Sequence, residues 1–374
     1  MGATERLSVA VITCWYPSSI DPVSGIFNAH DIRAIAAEHD VHVFHLVAPH
    51  LDDGERRLEA DGHRVTRIPM ATWNPLHIAR AARTLHAALG AFDVIHTMAF
   101  PSLMPVRLLP RRLPVLHTEH WTGITRMARG GSKPGVARIA GTVLRRADAL
   151  HAVSTYLGDA MTTVSGRDVT VVPNIVEVPG EIVAGSRRHP AGAGDPLRLL
   201  AVGTLSPVKD PMLSLQVIAE LRRRGLPVTL DWVGDGPLRE SVEAMIEELD
   251  LAGLVTLHGR MPHGATLERM AEVDAVLHTS SEETFSIVAA ESLVLGRPLI
   301  IADRGGHRDF SGADAPWAAL VPERTATAYA DGVERALAAW DPAAAAAYGD
   351  ELLARFSSAA HATAVSAQYR RITS

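Results

Sequence analysis

One cysteine, Cys14, is all that this 374-residue chain contains. An internal disulfide is therefore impossible, which fits a reducing compartment, and the place of Cys14 inside a β-like run makes it a strand-core residue. No apolar run is long enough to cross a bilayer, and the segment after Arg6, VAVITCWY, is cut off by PSSIDP before it resembles a signal peptide. The expected address is the cytoplasm. A net charge of −6 excludes a broadly basic nucleic-acid binder. Neither a GxxxxGKS/T loop nor a GxSxG elbow occurs, which removes P-loop phosphate binding and α/β-hydrolase chemistry. No repeat of about 20 to 50 residues marks a solenoid.

What is present is a composition of 47% hydrophobic and 21% charged residues with 29 Gly and 23 Pro, that of a soluble globular protein. The length exceeds one ordinary core, so an α/β chain of this size is expected to form two domains. Charge is spread unevenly. Residues 1–180 hold 18 Lys+Arg against 16 Asp+Glu, whereas residues 181–374 hold 18 against 26. Between Met104 and Arg146 nine basic residues, Arg107, Arg111, Arg112, Arg126, Arg129, Lys133, Arg138, Arg145 and Arg146, accompany one acid, Glu119. This stretch reads either as solvated helix faces in a low-lysine sequence or as a surface for phosphate or an anionic membrane.

Short β-like runs alternate with helical ones: LSVAVIT, GIFNAHDIRAIAAEH, VHVFHLVAP, then FDVIHT, LPVLHT, ADALHAV and VTVVP. The alternation predicts βαβ units and a parallel sheet. It loosens through EVPGEIVAGSRRHPAGAGDP, which places a linker near residues 180–195. A second series follows: LRLLAVG, PMLSLQVIAELRRR, PVTLDWVG, PLRESVEAMIEEL, LVTLHG, ATLERMAEV, AVLHTS, a helix around Glu291, and PLIIA. The fold class is therefore α/β, with two doubly wound domains, and the Ala-rich end reads as two further helices.

In open parallel sheets, ligands gather beyond the carboxyl ends of the strands. Four strand ends of the second series carry suitable residues. VGTLSPVKDP closes a strand at Gly203 and sets Lys209 ahead of Asp210 and Pro211, an N-cap and first helical residue, so a full positive charge stands beside free amides. VGDGPLR carries Gly234 and Gly236, which let main chain approach a ligand, but its sixth position is Arg239 rather than the glycine or alanine of the dinucleotide fingerprint. LHGRMP offers Gly259 and exposed main chain where a flat base can be read. Each of these three reads equally as an ordinary turn.

The fourth strand end is EETFSIVAAES, Glu282 to Ser292. A helix is expected from near Ser286 to Gly296, with Pro298 beyond. Ile287, Val288, Val294 and Leu295 share one helical arc, and Glu291 falls among them. An ionised carboxylate there costs on the order of a few kcal/mol unless it is paired. Its partner is either a buried arginine or the hydroxyl groups of a ligand. Glu283 lies ahead of the helix, and eight helical residues rise about 12 Å. That span suits the two hydroxylated ends of a nucleoside diphosphate sugar, with the diphosphate at the helix N-terminus. HTEHW, by contrast, ends a strand and lacks helical ligand spacing, so no metal is expected at His117, Glu119 and His120.

Glu283, seven residues and Glu291, with Thr284, Phe285 and Ser286 after the first acid, resemble the paired-glutamate motif of the retaining glycosyltransferases of family four, which have the B-type fold. VVPNIVE is similar to that family's VIPNGVD, LSPVKD to its lysine loop, VGDGPLR to its glycine turn, HTEHW to its N-domain histidine segment and DPVSGIFNAHD to its first glycine loop. The likeness thus runs over nearly the whole chain. It implies two Rossmann-like domains facing across a cleft: an acceptor domain, residues 1–180 with a helix 357–374 crossing back to it, and a donor domain, residues 181–356. It implies transfer of a sugar from a UDP- or GDP-sugar to an acceptor hydroxyl, with anomeric configuration kept and neither metal nor other cofactor required, in bacterial glycan, glycolipid or secondary-metabolite synthesis.

Position by position, the resemblance implies that Glu291 binds the ribose hydroxyls, Glu283 those of the donor sugar, and Lys209 the diphosphate. The run Thr284, Phe285, Ser286 and Ile287 would turn its amides to the distal phosphate and sugar. Gly203, Gly234, Gly236 and Gly259 would open main chain to the nucleotide, Arg260 and Met261 would offer backbone to the base, Gly25 would let the first loop approach the phosphate, and His120 would stand at the reacting centre. His120, Glu283 and Lys209 form the implied catalytic set. Two positions depart from the pattern: Thr204 stands where arginine is usual, with Arg304 and Arg308 as substitutes by position, and Ser286 stands where many members have glycine. The alternatives are a sugar-nucleotide-binding protein without turnover, or an epimerase or phosphorylase on the same fold. The acceptor is expected to be anionic or at the inner membrane face, with no nucleic acid as partner.

Overall fold

Strands buried on both faces need helices on both sides, and the chain supplies that arrangement twice. The computed structural model describes residues 6–21, 25–133, 135–186 and 195–374. Two compact units result: one comprises the chain up to Ile175 together with Phe356–Ser374, the other Val176–Arg355.

The first unit runs β1 (Ser8–Thr13), α1 (Ile26–Glu38), β2 (Asp40–Val47), β3 (Arg57–Ala60), β4 (His63–Pro69), α2 (Pro75–Ala88), β5 (Val94–Met98), α3 (Phe100–Val106), β6 (Val115–Glu119), α4 (Gly123–Ala128), α5 (Val136–Leu144), β7 (Ala149–Ala152), α6 (Thr155–Ser165) and β8 (Thr170–Val171). Its strands, among the described residues, are ordered β3-β4-β2-β1-β5-β6-β7-β8. β1 lies centrally, with Val9 opposite both Val41 and Val94, and Val9 through Ile12 are fully buried. That burial explains the unbroken apolar run VAVI. Every pairing is parallel except β3 with β4. This edge hairpin turns on Asp61 and Gly62, both at positive φ (50° and 77°), as a two-residue primed turn requires. The strand reading missed it, although ADG between two half-apolar runs carries the signal.

The second unit runs α7 (Gly180–Ser186), β9 (Leu197–Val202), α8 (Pro211–Arg223), β10 (Val228–Val233), α9 (Arg239–Glu248), β11 (Val255–Gly259), α10 (His263–Glu272), β12 (Ala275–His278), α11 (Ile287–Val294), β13 (Leu299–Ala302), β14 (Ala318–Val321), α12 (Ala326–Ala338) and α13 (Pro342–Arg355). The described strands form a parallel sheet in the order β11-β10-β9-β12-β13-β14. Its switch point lies between β9 and β12, where loops carrying Lys209 and Glu283 leave neighbouring strands. The linker expectation needs correction: residues 180–186 are helical. Arg297, 2% exposed, donates to the carbonyls of Ser186, Leu295 and Val273, which ties the end of α7 to the unit. The rest of that stretch, residues 187–194, lies outside the described residues.

The chain then returns to the first unit as α14 (Ser358–Thr373), capped by Ser357, whose Oγ accepts from Ala360 N–H at 3.2 Å. Its inner face meets α1 and the sheet through polar contacts as well as apolar ones. Tyr369 Oη lies 2.7 Å from His96 Nδ1, and Ser366 Oγ lies 2.8 Å from His39 Nε2. Tyr369 and His96 are 0% and 1% exposed, so neither has water to fall back on. Tyr369→Phe is expected to cost about 1–3 kcal/mol of stability in denaturant titration, because it orphans a buried imidazole nitrogen. A loss below about 0.5 kcal/mol would show that the contact does not anchor the helix.

Candidate active site

Lys209 and Glu283 sit on loops 74 residues apart in sequence, yet their charged ends meet at 2.6 Å. The lysine loop is rigidly supported. Asp210, at φ 49° and ψ 61°, caps α8 through Leu213 N–H, and Arg324, just ahead of α12, donates to its Oδ2 at 2.5 Å. The same guanidinium reaches the carbonyls of Thr279 and Ser280 at 2.7 and 2.9 Å, while Thr279 Oγ1 bridges the carbonyls of Lys209 and Asp210 at 3.0 Å each. Burial disfavours an ionised Glu283, but the Lys209 charge and a hydrogen bond from His278 outweigh it and hold the carboxyl well below its ordinary value. Gly306 N–H fixes the Glu283 carbonyl at 3.0 Å. Arg324 was not legible as a site residue, because nothing in its neighbourhood in sequence points at a loop 115 positions earlier.

Glu291 is 4% exposed, and the question of its partner has a third answer. Its Oε1 lies 2.6 Å from Nε2 of His263, the first residue of α10. Neither an internal arginine nor a ligand is needed to satisfy it. The hydrogen bond to Glu291, working against partial burial and helped by the charges of Glu291 and Glu177, raises the His263 imidazole above its ordinary 6.5. The His263 side chain is 45% exposed, so the pair is reached by solvent on the histidine's side. The expected apolar arc is also corrected. From Ala289 to Val294 every residue is buried, whereas Ile287 and Val288 are only half-buried, since α11 packs against α10 and α13 together. Phe285 turns its ring inward onto Phe310, with centroids 5.0 Å apart, and α11 begins one residue later than expected, with Ser286 as its cap at φ 73°.

The three glycine-bearing strand ends form one continuous surface. Gly203 N–H donates to Val233 at 2.9 Å, Trp232 Nε1 donates to Gly203 at 2.9 Å, and Gly234 N–H donates to Gly259 at 2.7 Å. At Gly234, φ is 137° and a Cβ would stand 2.0 Å from the Gly203 carbonyl oxygen, so only glycine fits. Gly236 is held by Asp235 Oδ1 at 2.9 Å. Thr204 and Arg260 are exposed and Met261 half-buried. Arg308 pairs with Asp303 at 3.3 Å, and among the described residues neither it nor Arg304 makes a hydrogen bond or ion pair to the lysine loop.

In the first unit, Gly25 adopts φ 68°, and a Cβ there would lie 2.2 Å from the Trp15 carbonyl oxygen. Pro22 to Ser24 of the same loop lie outside the described residues. His120 follows β6 with its imidazole buried beneath Phe27, ring centroids 4.8 Å apart. Its Nε2 is 3.7 Å from Asp31 Oδ2, and Asp31 Oδ1 is 3.5 Å from Nε2 of His361 on α14, whose Nδ1 rests on the Pro173 carbonyl at 3.1 Å. Burial pushes His120 down to about 3 and Asp31 up to about 6, the latter eased by His361. His120 is thus neutral near pH 7 and backed by an acid that sequence reading passed over. Glu119 is occupied locally: its Oε1 accepts from the amides of Phe100, His120 and Trp121 at 3.3, 2.9 and 2.8 Å.

The basic run divides in two. Arg107, Arg111, Arg112, Arg126, Arg129, Lys133, Arg138 and Arg145 are exposed, with Leu108 and Ile139 at 58% and 64% exposure among them. Arg146 is 3% exposed and belongs to the interior. Among the described residues no helix is long and apolar enough to cross a membrane.

Comparison with known proteins adds two matches to family models and a fold. Residues 186–360 match the family described as glycosyl transferases group 1, and residues 28–175 match the glycosyl transferase 4-like domain. Over 239 residues the chain is 27% identical to D-inositol 3-phosphate glycosyltransferase of Nocardia farcinica, a match covering 58% of this chain and 52% of that one. It thus spans about half of that relative's length. Sucrose-phosphate synthase from Thermosynechococcus elongatus superposes with a TM-score of 0.78 at 22% identity, covering 98% of this chain and 99% of the other. Anabaena HepE in complex with UDP-glucose gives 0.75 at 17% identity, covering 98% and 100%. At such identities the two structures establish the fold.

The Glu291–His263 pair makes stability depend on pH. A histidine whose folded value is raised contributes in full below its ordinary 6.5, and the contribution is lost as pH rises through the raised value. With the imidazole 45% exposed, solvent screening keeps it below about 1 kcal/mol. Unfolding measured between about pH 6 and pH 9 should show the wild type losing its advantage over His263→Ala as pH rises. A constant difference across that range would contradict the pairing.

Proposed function

We propose that this chain, whose residues 186–360 match the group 1 glycosyl transferases, is a glycosyltransferase of the B-type fold that moves a sugar, with retention of anomeric configuration and without a metal, from a nucleoside diphosphate sugar to an acceptor hydroxyl. The observation that carries this reading is Glu283 held ionised by Lys209 at the amino end of α11. A carboxylate that only accepts hydrogen bonds suits the hydroxyls of a donor sugar, and the neighbouring ammonium with the amides of Ser286 and Ile287 at the start of α11 suits a diphosphate. As the bond from the anomeric carbon to the phosphate oxygen breaks, negative charge grows on the diphosphate. Donors already fixed there lower the barrier. Glu291, with its half-exposed His263 partner, is assigned to the ribose hydroxyls, and the joined glycine strand ends with Arg260 and Met261 to the base. The second unit therefore binds the donor.

The first unit is assigned to the acceptor, with Gly25 and neutral His120 on the side of the reacting sugar. UDP-glucose bound to Anabaena HepE makes uridine sugars the first donors to try, with GDP-sugars next. A relative named for D-inositol 3-phosphate supports an anionic acceptor, which the exposed arginines of the first unit would attract. The same residues suit peripheral association with an anionic membrane face. A binding protein without turnover is the second reading, and uncharged Thr204 favours it.

A thermal-shift screen of nucleoside diphosphates and their sugars identifies the donor, and nucleotide release on adding acceptor tests transfer. Glu283→Gln and Lys209→Ala should each lower turnover at least about 100-fold, and Glu291→Gln should act mainly on donor KM, with melting curves preserved. Turnover should survive excess EDTA. Near-normal transfer in all three variants would overturn the site, and nucleotide binding without release would favour the second reading.

Charge reversal at Arg126, Arg129 and Lys133 together should raise acceptor KM about tenfold or abolish sedimentation with anionic liposomes. If both measurements stayed unchanged, the first unit's positive surface would have no part in acceptor capture.

A further inference from the structure

His278, the last residue of β12, is 4% exposed and directs one nitrogen at two oxygens. Its Nε2 lies 2.8 Å from Ser286 Oγ and 3.3 Å from Glu283 Oε1. An ionised carboxylate can only accept, so a bare lone pair on Nε2 would face a negative oxygen. Nε2 therefore carries a proton, whether the ring is neutral or charged. Ser286 Oγ accordingly accepts from His278. It also accepts from Ala289 N–H at 3.4 Å, the capping bond of α11. A hydroxyl has one donor and two acceptor positions, and here both acceptor positions are taken. The O–H bond remains, and among the described residues Ser286 Oγ makes no further hydrogen bond.

We propose that His278 is a positioning residue that makes the Ser286 hydroxyl a dedicated donor to a phosphate oxygen of the bound sugar nucleotide. Ser286 lies at φ 73°, a backbone conformation that disfavours any side chain, so glycine would be the easier residue there unless its hydroxyl has work to do. The acceptor it awaits is anionic, since Lys209 and the amides at the start of α11 converge on the same place. Beside a lysine loop whose Thr204 brings no charge, one further oriented donor strengthens the hold on the leaving diphosphate. This assignment rests on the reading of the second unit as the nucleotide-sugar unit.

The probe is UDP, titrated calorimetrically into the full chain and its variants. Ser286→Ala and Ser286→Gly should each weaken UDP binding about tenfold, the glycine variant without loss of melting temperature because it suits the positive φ. His278→Phe should weaken binding equally, its combination with Ser286→Ala should add nothing more, and His278→Gln, whose amide can donate, should restore most of the affinity. Unchanged affinity in Ser286→Gly, or effects that multiply in the double variant, would overturn the proposal. Nitrogen-15 shifts of the His278 ring give a readout free of any ligand, and an unprotonated Nε2 would overturn it as well. If the wild type bound none of UDP, GDP and ADP, the nucleotide-sugar reading would fall. Pyrophosphate would then decide the pair by itself: stronger binding by wild type than by Ser286→Gly supports it, and equal or absent binding overturns it.

Discussion

A carboxylate held largely out of water must be neutralised by a proton or by a neighbour, and at Glu283 the neighbour is the Lys209 ammonium at 2.6 Å. Much of the second unit's loop structure follows from keeping those two groups together. Arg324 holds Asp210, Asp210 caps α8, and Thr279 bridges the main chain on either side, so the lysine arrives in one orientation. On the other side, Gly306 holds the Glu283 carbonyl and His278 approaches its side chain. Under the proposed function, a ligand that offers hydroxyls to the acid and phosphate to the base would let each partner exchange one favourable contact for another instead of being left alone in a dry site.

Histidine recurs as the companion of buried or half-buried acids. Glu283 meets His278, Glu291 meets His263, Asp31 lies between His120 and His361, and Glu119 has His117 at 3.4 Å. Arginine in these places would lock each carboxylate into a permanent ion pair. An imidazole can donate one hydrogen bond while neutral, so it orients the acid without itself being a fixed countercharge, a part that at Glu283 falls to Lys209. That choice leaves the carboxylates able to turn to a substrate, and it makes the charge state of each pair depend on burial, which differs sharply between enclosed His278 and half-exposed His263.

The glycines show how packing and access meet in one residue. Gly234 is required because the Gly203 carbonyl comes so near its backbone, and that same approach joins three strand ends into a continuous rim of main chain beside the ion pair. The first unit follows a different logic. Its last helix supplies Tyr369 to His96 and His361 to Asp31, so a segment remote in sequence both seals the core and lines the acid behind His120.

Composition and periodicity alone determined the α/β class, the alternation of buried strands and helices, the parallel sheets, and the strand ends bearing Lys209, Glu283, Glu291 and the glycines, because those features repeat at local spacings. The Asp61–Gly62 hairpin was equally local and was simply passed over. Only the tertiary structure decided who partners whom. Glu291 had to be paired, as its apolar neighbours required, but the choice of His263 over an arginine depended on how α10 packs beside α11. Likewise, Arg324 under the lysine loop, His278 against Ser286, and His361 against Asp31 join positions 114, 8 and 330 residues apart. Side-chain identity says that a charge needs a neighbour; the distance between chain segments in three dimensions says which one it gets.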